Sequence, residues 1–570
     1  MIEDDLIQEL KTKGIFSEYL PSEFNVSSNN FNVYGAGASH KDRIEPYSYY
    51  MSRFNKKGDK RLISIPEFAT YVSLVNFLYD NKFSILRTIV NQSKEDENSF
   101  SRFVNSEGNI VYEKDGYGGG AKFVLERGAE SNEYEKARST YVNNMIYKIQ
   151  RTKGAAGILH IDISEFYSNI YTHIFGCIKL GIDGIKSAFI QDSTDQDYLL
   201  YKKLDDRVRR LNGARTNGVL VGPYISRILS ETILAVVDKE LRDQGLIFTR
   251  YADDYEIAIY HDTFYEDVLH LVTSVFDKYF LKLNSEKTYY EEYPYYLFSN
   301  YEKIIERIRG NEEKMDSPEI VELFNCFFSM EKKGEKGAVR YLLSAYPDNY
   351  IINDKNLYCD YLVNVICNDE KNMPLASKIF VKEYKNSNIA IDDNIKKILY
   401  KHLEYNINNG NNLDVVWLVY LLTKIGYEFN GQQVEKLLDT KNDLAIVILL
   451  EEQTDIFSEQ IVDKCCRVSE CWLLFYQFAL HYDSKRNIFF QKFNIIHNKN
   501  FYEKLFHNIY YYPDCETMTD VAYYYIDELQ ALGDIPPSLQ NYIDYEAYGR
   551  DLDMGGCFIE TSRGMCEIPY

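Results

Sequence analysis

The stretch Tyr251-Ala252-Asp253-Asp254-Tyr255-Glu256 sets two adjacent carboxylates inside the β-forming run IFTRYADDYEIAIY. Unpaired carboxylates are costly to bury, and neighbouring like charges repel unless something neutralises them. Phe248–Tyr251 and Glu256–Tyr260 read as two strands, so the aspartates fall at or near the turn of a tight hairpin. One aspartate in a turn is ordinary; a pair points to a cation. A third carboxylate, Asp162, closes the apolar run GILHIDI and is followed by SEFYSNIY, the pattern of a strand that ends and turns into a helix. Three carboxylates on neighbouring strand ends suit two Mg²⁺ ions, with Mn²⁺ as a substitute, because these hard cations take oxygen ligands and keep positions open for phosphate oxygens. Two such ions about 3.5–4 Å apart activate an attacking hydroxyl and stabilise the leaving group of an in-line phosphoryl transfer.

Residues 1–300 hold the elements that would position these groups. Gly157–Ile163 and Ile247–Tyr251 read as strands, and Glu67–Tyr79, Tyr134–Gln150, Ser226–Leu241 and Thr263–Tyr279 carry the 3.6-residue period of helices. GYGGGAK, Gly116–Lys122, is a loop without the GK[ST] ending of a phosphate-cradling loop. From about Ser317 strand signals almost vanish. Helix-length apolar patterns follow at Pro318–Met330, Ala338–Ala345, Ile395–Tyr405, Leu413–Gly426, Gln433–Leu438, Leu444–Glu452, Cys471–His481 and Asp520–Leu532. Short polar loops separate them, which suggests a stacked, HEAT-like array. The reading is therefore α+β, with boundaries at 1–300, 301–545 for the all-α repeat domain, and 546–570 for a small C-terminal tail.

Composition bounds the rest. The 570 residues exceed one hydrophobic core, and 45% apolar content excludes global disorder. No apolar run reaches membrane-span length, and no signal peptide opens the chain. The ten cysteines form no CxxC pair and only Cys177 lies in the first 300 residues, so a reducing cytoplasm is expected, without a disulfide framework. Net charge is −22; residues 301–570 carry 43 acidic against 28 basic side chains, a net −15 that leaves −7 for residues 1–300. That argues against wide duplex binding but allows local basic grooves, such as the runs Arg53 to Arg61 and Arg207 to Arg215.

These residues resemble the motif blocks of reverse transcriptases. Tyr251-Ala252-Asp253-Asp254 looks like their YxDD hairpin, and HIDISEFYSNIY like the first palm motif, with Asp162 as metal ligand. NGVLVGPYISRILSE, Asn217–Glu231, is similar to the GxPQGxxxS block, LKLNSEKT, Leu281–Thr288, to the block after the hairpin, and FNKKGDKRLISIP, Phe54–Pro66, to the fingers. The resemblance implies that Tyr167 is a steric gate against a ribose 2′-hydroxyl. It implies that Lys287 neutralises or protonates the departing pyrophosphate and that Lys60 and Arg61 meet the triphosphate. Tyr251, Gly222 and Ser226 would shape the nucleotide pocket. Arg227 and Glu231 read as an i,i+4 ion pair, His160 and His173 as packing histidines, and Glu165 and Glu256 as outer or solvated charges.

A narrower resemblance, carried by FYxxIYTH, GxxxGxxxSRIxxE and the long helical half, is to bacterial abortive-infection reverse transcriptases of the AbiK kind. It implies untemplated polymerisation of dNTPs into single-stranded DNA, which can be covalently attached through a protein tyrosine. It also implies homo-oligomers such as trimers or hexamers, and protection against phage. Val221 stands where templated enzymes place a glutamine that supports the nascent base pair, which agrees. The rivals are an RNA-templated reverse transcriptase and a non-catalytic scaffold that binds nucleotide or nucleic acid. Residues 301–570 show no Arg-(four to six residues)-His spacing of a fused ribonuclease.

Overall fold

Tyr47–Ser52 (β1) and Lys60–Ile65 (β2) form an antiparallel pair, Tyr47 opposite Ile65 and Ser52 opposite Lys60. The computed structural model describes residues 10–21, 24, 45–52, 60–81, 83, 86, 99, 113–114, 121–122, 145–458 (except 192, 298, 387, 388 and 390), 460–461, 464, 510–512, 515, 517–528, 543–555, 557–561 and 564–568. Most of GYGGGAK, the first part of Tyr134–Gln150 and all of Cys471–His481 lie outside these residues. The contacts divide the chain into two compact units, Met1–Asn25 with Arg43–Tyr427, and Val26–Asp42 with Glu428–Tyr570.

In the larger unit β2 leads into helix α1, Phe68–Asp80. The central sheet starts at Gly157–Asp162 (β3), whose Ile158, Leu159 and Ile161 are buried. After it come the short helices Phe166–Asn169 (α2), Ile174–Leu180 (α3) and Ile182–Ile190 (α4), then Gln196–Leu211 (α5) and the 20-residue Tyr224–Asp243 (α6). The hairpin Phe248–Tyr251 (β4) and Asp254–Ile259 (β5) follows, then helix Tyr265–Lys278 (α7) and strand Tyr289–Glu292 (β6). The sheet runs β4-β5-β3-β6 with every neighbour antiparallel. α6 buries most of its circumference, its polar residues Ser226, Ser230, Glu231, Thr232 and Asp238 included.

Seven helices complete this unit: Tyr301–Arg309 (α8), Ser317–Lys332 (α9), Ala338–Ser344 (α10), Lys355–Asn368 (α11), Met373–Lys385 (α12), Asp393–Asn409 (α13) and Asn412–Lys424 (α14). Consecutive members pack as α9 on α10, α11 on α12 and α13 on α14. Sequence patterning misses α11 and α12. The buried residues of α11, Tyr358, Cys359, Leu362, Val363, Val365 and Ile366, share one broad face, and the helix packs on α12, α13 and α9.

The smaller unit contains Gly431–Asp439 (α15), Asp443–Glu452 (α16), strand Tyr510–Tyr512 (β7), Met518–Tyr523 (α17), Tyr545–Gly555 (α18) and the hairpin Cys557–Thr561 (β8) with Gly564–Ile568 (β9). β9 pairs antiparallel with both β7 and β8, over a small core of Tyr512, Cys515, Val521 and Met565. In this stretch of the chain the division between the two units falls at 427/428. Helix α14 packs on β1 of the N-terminal hairpin, and the last strand belongs to a sheet begun at Tyr510. The short strand β7 accompanies the helices of this region.

Trp417 ties α14 to the N-terminal segment: it is 1% exposed, and its Nε1 donates to the Tyr19 carbonyl at 2.8 Å. Trp417→Ala is expected to lower the stability of the larger unit by about 3–5 kcal/mol through cavity formation. Trp417→Phe should cost only about 1–3 kcal/mol, by leaving that carbonyl unsatisfied. Urea denaturation followed by tyrosine fluorescence checks the order.

Candidate active site

The register of the sheet brings the acidic residues together. Asp162, the last residue of β3, is the cross-strand partner of Asp254, the first residue of β5. Directly opposed residues in such a pair have Cβ atoms about 4.5–5.5 Å apart. Tyr251 pairs with Asp254 across the hairpin, so Ala252 and Asp253 form a two-residue turn. Ala252 takes φ +52°, the left-handed conformation such a turn demands. The strand-and-turn geometry read from the sequence is therefore present, with the strand starting at Asp254.

Asp162 is 5% exposed and fully engaged. Asn284 Nδ2 donates to its Oδ1 at 2.8 Å, Lys287 Nζ donates to its Oδ2 at 2.6 Å, and its carbonyl accepts from Asn284 N at 2.9 Å. Burial, then the charges of Asp253 and Asp162 and a hydrogen bond to Asp162, push the Asp254 carboxyl up from 3.8 to about 6. Burial foremost raises Asp253 too, with Asp162 adding to it and Lys287 and Arg61 opposing. The set is short of positive charge, and its oxygen donors are those a hard dication takes. Among the described residues no three His, Cys, Asp or Glu side chains already converge on one point. The Lys287 ammonium holds the Asp162 oxygen that such an ion would use. By donor chemistry Asp162, Asp253 and Asp254 fit Mg²⁺ once Lys287 swings away, and its side chain is 65% exposed.

The hairpin tip is fixed from behind by Arg250. Its guanidinium is 1% exposed and forks onto two carboxylates of α6. Nε and Nη2 donate to Asp238 at 2.8–2.9 Å, Nη1 and Nη2 to Glu231 at 3.1 and 3.0 Å, and Nη1 also to the Ala252 carbonyl at 2.8 Å. Tyr255 Oη donates to Asp238 Oδ1 at 2.9 Å. Glu231 therefore pairs with Arg250 and not with Arg227, whose guanidinium meets Glu18 instead. The i,i+4 expectation fails because Glu231 faces the core, where a buried arginine competes for it. Sequence reading assigned no role to Arg250 or Asn284. The available signal was a lone arginine in an apolar strand, which can be buried only against carboxylates.

The remaining candidates divide. Tyr167 lies within electrostatic reach of Arg227, Glu231, Asp253 and Arg61, and burial raises its hydroxyl to about 12. Arg61 reaches Asp253 in the same sense. Lys60 points elsewhere, donating to the carbonyls of Asn409 and Gly410 at 2.6 and 3.0 Å, at the C-terminus of α13. Gly222 (φ +135°) lies against β2; a Cβ there would meet the Ser64 carbonyl oxygen at 2.6 Å, and Ser64 N donates to the Val221 carbonyl at 2.8 Å. Ser226 is 1% exposed at the start of α6, with its Oγ unpaired among the described residues, so it shapes the helix rather than meeting solvent. Tyr251 is 63% exposed beside Asp254. His160 packs as expected, stacked on Tyr289 and bonded to Glu291 at 2.9 Å. Glu256 is paired with Lys148 at 2.7 Å, and His173 with Asp205 at 2.6 Å.

Comparison with known proteins follows the same lines. Residues 126–311 match the family model described as reverse transcriptase (RNA-dependent DNA polymerase), so the chain carries a reverse-transcriptase domain. Residues 433–567 match the family described as antirestriction protein (ArdA). No curated protein matches the chain significantly. Among solved structures, apo telomerase from Candida tropicalis aligns at 12% identity over 73% of each chain, with a TM-score of 0.28. Telomerase from Candida albicans in complex with a fragment of telomeric RNA aligns at 11% identity over 78% of this chain and 64% of its own, with a TM-score of 0.27. Among the described residues no helix is long and apolar enough to cross a membrane.

Two outcomes test the geometry. Arg250→Met leaves Asp238 and Glu231 buried without their partner and should cost about 3–5 kcal/mol. Arg250→Lys keeps a charge but loses the fork; it is expected to fold, by circular dichroism, with metal binding weakened. The second outcome concerns pH. Because the folded pKa of Asp254 lies above its ordinary value, its charge opposes folding fully above pH 6 and not at all below about pH 4. In EDTA, Asp254→Asn should raise the Tm near neutral pH and leave it unchanged at about pH 4. Added Mg²⁺ should raise the wild-type Tm and leave an Asp253→Asn, Asp254→Asn double variant where it was.

Proposed function

We propose that the chain is a metal-dependent nucleotidyltransferase that polymerises dNTPs into single-stranded DNA without copying a template, starting from a hydroxyl of the protein, and that it serves antiphage defence. One observation supports the chemistry above all others. Asp162 and Asp254 oppose each other across two strands, with Asp253 on the adjoining turn, inside a reverse-transcriptase domain. Mg²⁺ held by these carboxylates as a pair of ions would lower the pKa of the attacking hydroxyl and neutralise charge on the phosphates. The chain's own residues do the rest. Arg61 faces the acidic turn and meets the triphosphate. Tyr167 walls the pocket on the ribose side. Lys287, released from Asp162, follows the phosphates as charge builds on the leaving group.

Absence of templating is supported by Val221. Its carbonyl is held by Ser64, and its side chain has no polar group with which to support a base pair. The AbiK-like motifs support protein priming and assembly as a homo-oligomer. The antirestriction description attached to residues 433–567 supports a setting in the contest over foreign DNA. HEAT-like stacking of α8–α14 and a cytoplasmic location belong to the same proposal.

The test uses purified protein, Mg²⁺ and labelled dNTPs, without primer or template, resolved on a denaturing gel with and without protease. Long products that shift on protease treatment and vanish with Asp253→Asn are expected. The Asp253→Asn activity should fall at least about a hundredfold, as loss of one metal-holding charge requires. Synthesis only after RNA template and primer are supplied would replace this reading with a templated enzyme. An Asp253→Asn variant that still protects cells would replace it with a binding scaffold.

A further inference from the structure

A cavity of about 1300 Å³ opens beside the acidic site, between helices α3, α4 and α5 and the segments that flank Asp162. It exceeds the roughly 300–1000 Å³ of small-molecule pockets. It shares a wall with the catalytic loop: of its lining residues, Lys282 accepts Ser164 N on its carbonyl at 2.8 Å, and Asn169 Nδ2 donates to the Ser164 carbonyl at 3.0 Å. Ser164 lies two residues beyond Asp162.

The lining combines two chemistries. Tyr171, Phe189 and Phe280 offer aromatic faces. Phe189 is 71% exposed, and Phe280 is held at φ +60° with its ring edge-on to Tyr171 at 5.3 Å. Lys186, Lys202, Lys203 and Lys282 add positive charge, and none has an ion-pair partner among the described residues. The two carboxylates of the lining are already committed, Asp205 to His173 at 2.6 Å and Asp206 to Arg209 and Arg210 at 2.8 Å each. In a chain of net charge −22 this is a local excess of cations beside exposed rings. Helix α4, which buries none of its residues, carries Ile182 and Phe189 to the rim.

We propose that this cavity binds a single-stranded polynucleotide, with bases stacked on Phe189, Tyr171 and Phe280 and phosphates on the four lysines. Stacking on rings tolerates any base, and lysines track a backbone without reading sequence, so the site suits a strand of arbitrary sequence entering or leaving the catalytic loop. The binding is independent of the polymerase reading; only the source of the strand, newly made product, rests on it.

The test is fluorescence anisotropy with labelled oligodeoxythymidine of about 20 nucleotides, in EDTA so that no synthesis intervenes, over a range of salt. Phe189→Ala lies on an exposed position and should fold; it is expected to weaken binding about tenfold. Lys186→Gln with Lys203→Gln should lower the slope of log affinity against log salt by about 1.4, near 0.7 per lost phosphate contact. Photocrosslinking of an iodouracil oligonucleotide should map to α4. Competition with RNA of the same sequence separates sources: weaker competition by RNA fits a DNA product, stronger competition fits a template, and either supports the site. Affinity unchanged in both variants overturns the proposal, even if the protein polymerises dNTPs. Unchanged affinity with an altered sedimentation coefficient also overturns it, and assigns the face to contact between copies.

Discussion

Everything at the acidic tip depends on one buried guanidinium. Arg250 carries a single positive charge into a fully enclosed position and meets two carboxylates, Asp238 and Glu231, with a third contact to the Ala252 carbonyl. Removing such charges from water costs several kcal/mol per ion, and only near-complete hydrogen bonding offsets it. Arginine suits the place because its planar fork serves both carboxylates and the carbonyl at once, which lysine's point charge cannot. The consequence is mechanical. The turn that carries Asp253 is bonded to α6, and the N-terminal end of α6 follows the loop of Val221 and Gly222, which lies against β2. One helix thus references both the carboxylates and the loop that lies against β2.

In front of that anchor the charge balance reverses. Three aspartates lie close together, and the cations near them are few: Lys287, mostly exposed, is paired with Asp162, and Arg61 acts across space. Burial first, and then the neighbouring aspartates, raise the Asp254 carboxyl there. Behind the hairpin two carboxylates share one guanidinium in buried ion pairs, whereas in front the exposed Lys287 pairs with Asp162. That division is what a phosphoryl-transfer site needs, since charge brought by substrate and metal must find a place not already filled. A cation bound at Asp162 would compete with Lys287 for the same carboxylate oxygen.

Much of this was legible in the sequence because its local signals agreed. Alternating and apolar runs gave β3, β4 and β5, and the paired aspartates gave the turn. The spacing from Asp162 to Tyr167 put an aromatic ring one helical turn past the strand end. What was not legible required knowledge of which face met which. Arg227 and Glu231 have ideal helical spacing, yet they part, because each finds a stronger partner in another element. Lys60 and Arg61 both read as triphosphate contacts, Arg61 the better of the two, and the partners of Lys60 at the end of α13 lie far off in sequence. The C-terminal sheet was invisible because β7 is three residues long and its partner β9 lies some fifty residues away.

The division between Lys60 and Arg61 also explains why the first helical stretch belongs with the N-terminal hairpin. Successive residues of a strand point to opposite faces. On one face of β2, Lys60 reaches the last carbonyls of α13, where a helix terminus carries unsatisfied acceptors and partial negative charge. Close by, Tyr50 N donates to Asn412 Oδ1 and Ser52 Oγ to Asp414 Oδ2, at 3.0 and 2.9 Å. On the other face, Arg61 looks toward Asp253. The hairpin is thus clamped by helices whose sequence distance from it exceeds 300 residues, and the clamp sets how far Arg61 can move. Lys60 is held by the carbonyls of Asn409 and Gly410, and Arg61 is the one of the pair that acts on Asp253.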